Sequence, residues 1–294
     1  MKILTFDIGA TNIKYGICNE KFVLTDRHTI PTEASQGGQQ LVLKLISIIE
    51  SYDGIDRVAI STTGQVDSEN GIVVYSTGAI PYYTGMMVKK IIENKTGILT
   101  YVENDVNAFA MGEAMFGAAK GKSDFLALTY GGGIGGALYL NNKLYKGMGS
   151  SAGEFGHMIT HAGGKQCVCG GEGCYECYAS TNALLETVNK KNNTHLDAFE
   201  IFKKENFEKP EIRSCIDLWI DEMIIGLINI IYVFNPPLIV LGGGIMNEDY
   251  VIDLIDRKIY NQLMENFKDV NIVRSKLGND AALLGVAAEA AKLK

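Results

Sequence analysis

The chain has 294 residues, 47% of them hydrophobic, and a formal net charge of -7 without any cluster of Lys and Arg. That length is about twice a one-domain expectation, so two cores can form without disulfides, and the acidic balance excludes a nucleic-acid backbone as main partner, pointing instead to a small solute. Asp7 arrives too early for the apolar run of an export signal, and the longest apolar stretch, Met223–Phe234, contains Gly226 and Asn229, so a cytoplasmic protein with no membrane span is expected.

Residues 2–8 read as a strand, Gly9–Asn12 as a tight turn and Ile13–Cys18 as the returning strand. Apolar spacing then predicts a helix over Leu41–Ser51, a strand over Arg57–Ser61, a helix over Met87–Lys95, a strand over Ile98–Val102 and a helix over Asn104–Phe116. The opening pattern returns as strand Phe125–Tyr130, glycine turn Gly131–Gly136 and strand Ala137–Leu140, once per half, which suggests a duplicated architecture. Gly147–Cys177 is rich in Gly and Cys with almost no periodicity, too long for an idle connector and therefore functional. Glu211–Phe234 sets Ile212, Ile216, Trp219, Ile220 and Met223 on one helix face, and Asn235-Pro236-Pro237 ends it. A strand over Leu238–Leu241, a helix from about Glu248 to Phe267 and a small-residue helix over Asp280–Leu293 complete an α/β chain with mixed sheets.

Three glycine loops stand at strand ends. In Asp7-Ile8-Gly9-Ala10-Thr11-Asn12, glycine permits close backbone approach, Thr11 offers a hydroxyl, Lys14 a cation and Asp7 a carboxylate for hydrated magnesium. Gly131-Gly132-Gly133-Ile134-Gly135-Gly136 exposes successive backbone N–H groups, and Gly242-Gly243-Gly244 follows a strand and precedes a helix. A flexible loop would explain any one of them, but three in one chain favour a shared phosphate-bearing ligand. A dinucleotide fold is disfavoured, because no clean G-x-G-x-x-G is followed by an acidic residue at the right distance.

Glu103-Asn104-Asp105 lies where a strand gives way to a helix. Helix capping explains Asn104 or Asp105; a carboxylate there can also orient an attacking hydroxyl and take its proton, and Asp105 is the candidate base. Of six cysteines, four fall within Cys167–Cys177. His157 with Cys167, Cys169 and Cys174 makes one imidazole and three thiolates, a closed tetrahedral set for structural Zn2+ with glycines to wrap it. Cys177 reads as a spare, Cys18 and Cys215 as buried apolar thiols, and His28, His161 and His195 as solvated surface residues. The second ring nitrogen of His157 remains for a substrate hydroxyl, with Glu154 and Glu176 as further acceptors nearby.

Together these features resemble the ROK family (repressors, open reading frames and sugar kinases), whose fold is related to the hexokinase, actin and Hsp70 ATPase fold. The likeness spans nearly the whole chain and is carried by Asp7-Ile8-Gly9-Ala10-Thr11, Glu103-Asn104-Asp105-Val106-Asn107-Ala108, Glu154-Phe155-Gly156-His157, the Cys-x-Cys-Gly-x-x-Gly-Cys-x-Glu run from Cys167 to Glu176, and Leu241-Gly242-Gly243-Gly244. It implies a two-lobed, ribonuclease H-like (actin-like ATPase) α/β fold with a nucleotide and sugar cleft. The small lobe would be 1–107 plus 281–294, and the large lobe 108–280 with the zinc loop 147–177. The resemblance implies that Asp7, Gly9, Thr11, Asn12, Lys14, Thr129, Gly131, Gly132, Gly133 and Gly135 hold the phosphates of ATP with Mg2+. It places Gly242, Gly243 and Gly244 against the adenosine, makes Asp105 the catalytic base, and lines the sugar with Gly64, Asn104, Glu154, His157 and Glu176. A homodimer is usual in the family.

The implied reaction is transfer from ATP to the 6-hydroxyl of a hexose, glucose first, with N-acetylmannosamine, fructose or a β-glucoside such as cellobiose as alternatives. Two departures bear on it: Gly132 replaces the usual threonine of the second phosphate loop, losing a hydroxyl contact unless Thr129 supplies one, and Ala79 replaces an asparagine common in family glucokinases. A sugar-responsive transcriptional regulator is opposed by a phosphate hairpin that begins within the first ten residues and by the acidic balance. An actin- or chaperone-like ATPase has no use for the hydroxyl acceptors from Glu154 to Glu176.

Overall fold

The computed structural model describes residues 1–294. Its first hairpin pairs β1 (Lys2–Ile8) antiparallel with β2 (Asn12–Asn19), Asp7 opposite Lys14. β3 (Leu24–Pro31) adds an outer strand that apolar spacing did not announce, because residues 25–29 are polar and exposed. Then follow α1 (Gly37–Glu50), β4 (Arg57–Thr62), the short hairpin β5 (Gln65–Asp67) and β6 (Ile72–Tyr75), α2 (Val88–Thr96), β7 (Thr100–Asn104) and α3 (Asp105–Phe116). β7 ends two residues later than expected, so Asn104 closes the strand and caps the helix, accepting from the N–H groups of Val106 and Asn107.

The second half opens with β8 (Phe125–Tyr130), β9 (Ile134–Leu140) and β10 (Lys143–Tyr145). After the glycine- and cysteine-rich loop come α4 (Glu176–Ala179), α5 (Thr181–Asn192), α6 (Ala198–Phe202), α7 (Lys204–Phe207) and α8 (Pro210–Phe234). β11 (Leu238–Gly242), α9 (Asp249–Ile259), β12 (Asn271–Arg274) and α10 (Ala281–Ala290) finish the chain. α9 stops at Ile259 rather than running to Phe267, and β12 is too short and too polar to show a period of its own.

Two compact units result. The first comprises Met1–Gly121, Leu144–Ala152 and Asn279–Lys294, the second Lys122–Lys143 and Gly153–Gly278. The first sheet has the order β3-β2-β1-β4-β7, the second β10-β9-β8-β11-β12. In each, the central strand pairs antiparallel with its hairpin partner and parallel with the next strand, which is itself parallel to the edge strand beyond. The repeated hairpin of the sequence is thus a repeated sheet.

β1 and β4 are central in the first sheet and buried on both faces, which is why they read as apolar runs. α10 lies along α3 through two glycines: a Cβ on Gly112 would stand 2.0 Å from Ala281 O, and one on Gly285 2.0 Å from Ala108 O. That close packing keeps α3 with α10, so the first unit runs to Gly121, past the expected boundary at 107.

Candidate active site

In the first unit, Asp7 at the end of β1 accepts from Ser61 Oγ at 2.9 Å. Burial raises its pKa, while Lys14 opposite and the Ser61 bond pull it down. The Gly9–Asn12 turn closes through Gly9 N to Asn12 O at 3.0 Å and is pinned by Thr32, whose hydroxyl donates to Gly9 O and whose N–H donates to Thr11 O. Thr11 and Asn12 are exposed, and Lys14 reaches Asn279 Oδ1 at 3.0 Å.

Asp105 opens α3. Its Oδ1 accepts from Val106 N at 2.9 Å and from Asn104 Nδ2 at 2.8 Å, leaving Oδ2 for a hydroxyl. Burial, and after it the charge of Asp7, push the Asp105 pKa up to about 7 against those two bonds. Asn104 also donates to Gly64 O at 2.9 Å and accepts from Val106 N and Asn107 N at 3.0 Å each. All four of its hydrogen-bonding positions are therefore filled, so a sugar hydroxyl reaching Asn104 would have to take over one of these bonds. Gly64 sits at φ 94°, and a Cβ there would stand 2.7 Å from Tyr75 O.

In the second unit, Thr129 of β8 lies opposite Gly135 of β9 and Gly242 of β11, which brings both glycine runs to the same end of neighbouring strands. Gly131 N donates to Gly133 O at 3.0 Å, and Thr181 N to Gly131 O at 2.9 Å. Gly243 has φ 102°, and a Cβ there would lie 2.1 Å from Tyr130 O, so only glycine fits the end of β8. Around Gly131 and Gly244 the space is open. A Cβ on Gly133 would meet Glu176 Oε2 at 2.4 Å, and Ile134 N donates to that oxygen at 3.3 Å.

The Cys-rich loop gathers its donors. One ligand atom each from His157, Cys167, Cys169 and Cys174 lies within 4.8 Å of the others. Cys169 and Cys174 Sγ are 3.6 Å apart, and Cys167 Sγ is 3.7 Å from His157 Nδ1. A tetrahedron with bonds of about 2.3 Å has edges of about 3.8 Å, so the set fits a zinc-sized soft cation. Glu176 Oε1 is 3.7 Å from His157 Nδ1, whereas Glu154 Oε2 is 3.9 Å from Nε2 on the other side of the ring. Cys177 stands outside the set, its Sγ 3.7 Å from Gln166 O, and Cys18 and Cys215 are buried.

Comparison with known proteins now decides the family. The ROK family model matches residues 3–292. The chain belongs to the ROK family. A glucokinase of Thermotoga maritima is 29% identical over 98% of this chain and 96% of its own length. An N-acetyl-D-glucosamine kinase of Aliivibrio salmonicida is 28% identical over 96% and 97%. The crystal structure of a ROK family glucokinase from Streptomyces griseus in complex with glucose and AMPPNP superposes with a TM-score of 0.90 at 26% identity, covering all of both chains. The ROK chain thus has the α/β, actin-like ATPase fold with mixed sheets. None of its helices is long and apolar enough to cross a membrane.

His28 is exposed, as the sequence suggests, whereas His161 is half-buried; both make ring contacts that the sequence did not announce. His161 stacks on Tyr178 with ring centroids 3.8 Å apart and has Nε2 3.6 Å from Glu222 Oε2; His28 stacks on Tyr15 and meets Asp26 at 3.0 Å. Sequence reasoning also missed Tyr175, buried between Cys174 and Glu176, whose hydroxyl donates to Met223 O at 2.7 Å and bonds that of Tyr130 at 2.8 Å. Its ring fills the notch at Gly226, where a Cβ would lie 2.2 Å away. The lone glycine inside an apolar helix was the available signal. Lys146, 2.6 Å from buried Glu103, gave none, for its partner is 43 residues away.

Proposed function

We propose that this ROK protein is an ATP-dependent sugar kinase that phosphorylates the 6-hydroxyl of a hexose, with Asp105 as base. The observation that carries this reading is Asp105 itself. Its Oδ1 is tied down by two donors, and burial beside Asp7 raises its pKa to about 7, so it can accept a proton at neutral pH. The hydroxyl oxygen forms the new bond to the terminal phosphorus as the bond to the ADP oxygen breaks. The hydroxyl proton passes to Asp105 Oδ2 and then to solvent.

In this reading the Gly9–Asn12 and Gly131–Gly135 turns, with Thr129 and Lys14, hold the ATP phosphates, and Gly242–Gly244 meets the adenosine. Asp7 would hold hydrated Mg2+, which would offset phosphate charge when bound. Glu154, His157 and Glu176 receive sugar hydroxyls, joined by Asn104 and the Gly64 carbonyl. Zn2+ on His157, Cys167, Cys169 and Cys174 would neutralise thiolate charge and brace the loop that presents His157 and Glu176. A cytosolic homodimer completes the proposal: three zinc-ligating thiolates and three unpaired cysteines suit a reducing compartment, and the dimer rests on family resemblance.

Glucose and N-acetylglucosamine lead as substrates, because the relatives named above are kinases of those sugars. A coupled ADP-release assay over these two, N-acetylmannosamine, fructose, allose and cellobiose tests the reading. Sugar-dependent turnover supports it, and ATP hydrolysis indifferent to every sugar would replace it with the ATPase alternative.

A further inference from the structure

Glu103 is a carboxylate with no solvent exposure, one residue from Asn104 and two from the proposed base. Its Oε1 accepts from Asn104 N at 3.0 Å and Asn107 Nδ2 at 3.2 Å; its Oε2 accepts from Tyr101 OH at 3.0 Å and Lys146 Nζ at 2.6 Å. Only Lys146 brings a compensating charge. It also binds the Ser68 hydroxyl, and its side chain is 29% exposed. Lys146 belongs to Leu144–Ala152, a segment of the first unit flanked in sequence on both sides by chain of the second. Ala152 N donates to Lys146 O at 3.0 Å, and Ser151 Oγ donates to Gln65 Oε1 at 2.8 Å, so the segment is fixed where it enters.

We infer that Lys146 is a positioning residue for phosphoryl transfer, holding Glu103 as the buried anion that anchors Asn104 and, through Asn104, Asp105. The inference rests on the kinase reading above. Removing the ammonium leaves Glu103 two courses, since a buried unpaired carboxylate is strongly disfavoured. It can stay ionised and add negative potential to that of Asp7 near Asp105, or take up a proton and surrender an acceptor site that now holds a donor. Tyr101, itself near Glu289, is neutral and cannot replace the lost charge, its pKa being raised by burial and by Glu103. The first course shifts the potential at Asp105 and the second loosens the hold on Asn104, and neither touches the phosphate turns.

The test is a double-mutant cycle on the full chain, assayed by ADP release on whichever sugar the wild type accepts. Lys146→Met is expected to lower kcat about tenfold or more with KM for ATP within about twofold, and to move the acid limb of the kcat profile up by about half a pH unit. Lys146→Arg should restore most of the rate. In a Glu103→Gln background, Lys146→Met should cost less than about twofold, because no buried charge remains to be held. Losses that multiply independently, or a Lys146→Met enzyme with unchanged kcat and pH profile, overturn the inference. If Lys146→Met alone does not fold, the comparison within the Glu103→Gln background decides: near-equal rates support the inference, and a further tenfold loss overturns it. A wild type that phosphorylates no sugar removes the kinase reading and this inference together, whereas a working, Asp105-dependent enzyme indifferent to Lys146 removes this inference alone.

Discussion

Asp105 is held protonated to about pH 7 by burial and by Asp7, and this has consequences for both activity and stability. A folded-state pKa above the unfolded value means that the folded chain binds the proton more tightly. The resulting stability is full below about pH 4 and is lost as pH rises through about 7. Asp105→Asn, which cannot ionise, should therefore exceed the wild type in stability by about 2–4 kcal/mol at pH 8, with the gap closing by pH 4, as read by denaturant unfolding at both pH values. The rate of the wild type should rise through about pH 7 and level off above it, since only the carboxylate accepts a proton. Gly64→Ala places a methyl group 2.7 Å from Tyr75 O at φ 94°, so a loss of about 1–3 kcal/mol in urea unfolding is expected. Asp105 as the proposed base and the gathering of His157, Cys167, Cys169 and Cys174 were legible in the sequence because the chemistry proposed for them fixes residue type and spacing together. Glu103 read only as a neighbour of the base, because the lysine that makes its burial tolerable comes from far along the chain.

Among the elements, the Cys-rich loop is the one that the proposed zinc would brace. Cys167 N to Gly171 O at 2.8 Å and Gly170 N to Cys167 O at 3.0 Å wrap it, with Gly170 and Gly173 at positive φ, while Tyr175 is its large fully buried side chain. One zinc per chain is expected by elemental analysis of purified protein, and a chelator or Cys174→Ser should lower Tm by several degrees. An unchanged Tm after proven metal loss would contradict the bracing role. Gly226→Ala tests the seat of Tyr175. Helix propensity alone favours alanine by about 1 kcal/mol, but the methyl group meets the Tyr175 ring at 2.2 Å, so a net loss of about 1–3 kcal/mol is expected on denaturation. Of the elements that sequence missed, β3 and β12 are edge strands with polar or half-exposed residues. Their identity comes from backbone pairing with a neighbour, which leaves no apolar period behind.

At the scale of the whole molecule, one sheet order is used twice, each time with a glycine turn between the central strand and its antiparallel partner. That repetition was visible as two written-out hairpins, whereas the α3 and α10 pairing was not, because the close approach at Gly112 and Gly285 joins residues far apart in the chain. The identity of the sugar is likewise a matter of acceptor placement that residue spacing does not encode. The most direct measurement is 31P NMR of sugar and Mg-ATP incubated with the wild type and with Asp105→Asn. The wild type should yield a hexose 6-phosphate and ADP in equal amounts, and the variant should be slower by a factor of about 10²–10⁴. Inorganic phosphate as the sole product, or a variant as fast as the wild type, would contradict the assignment of Asp105 as the base of a sugar kinase.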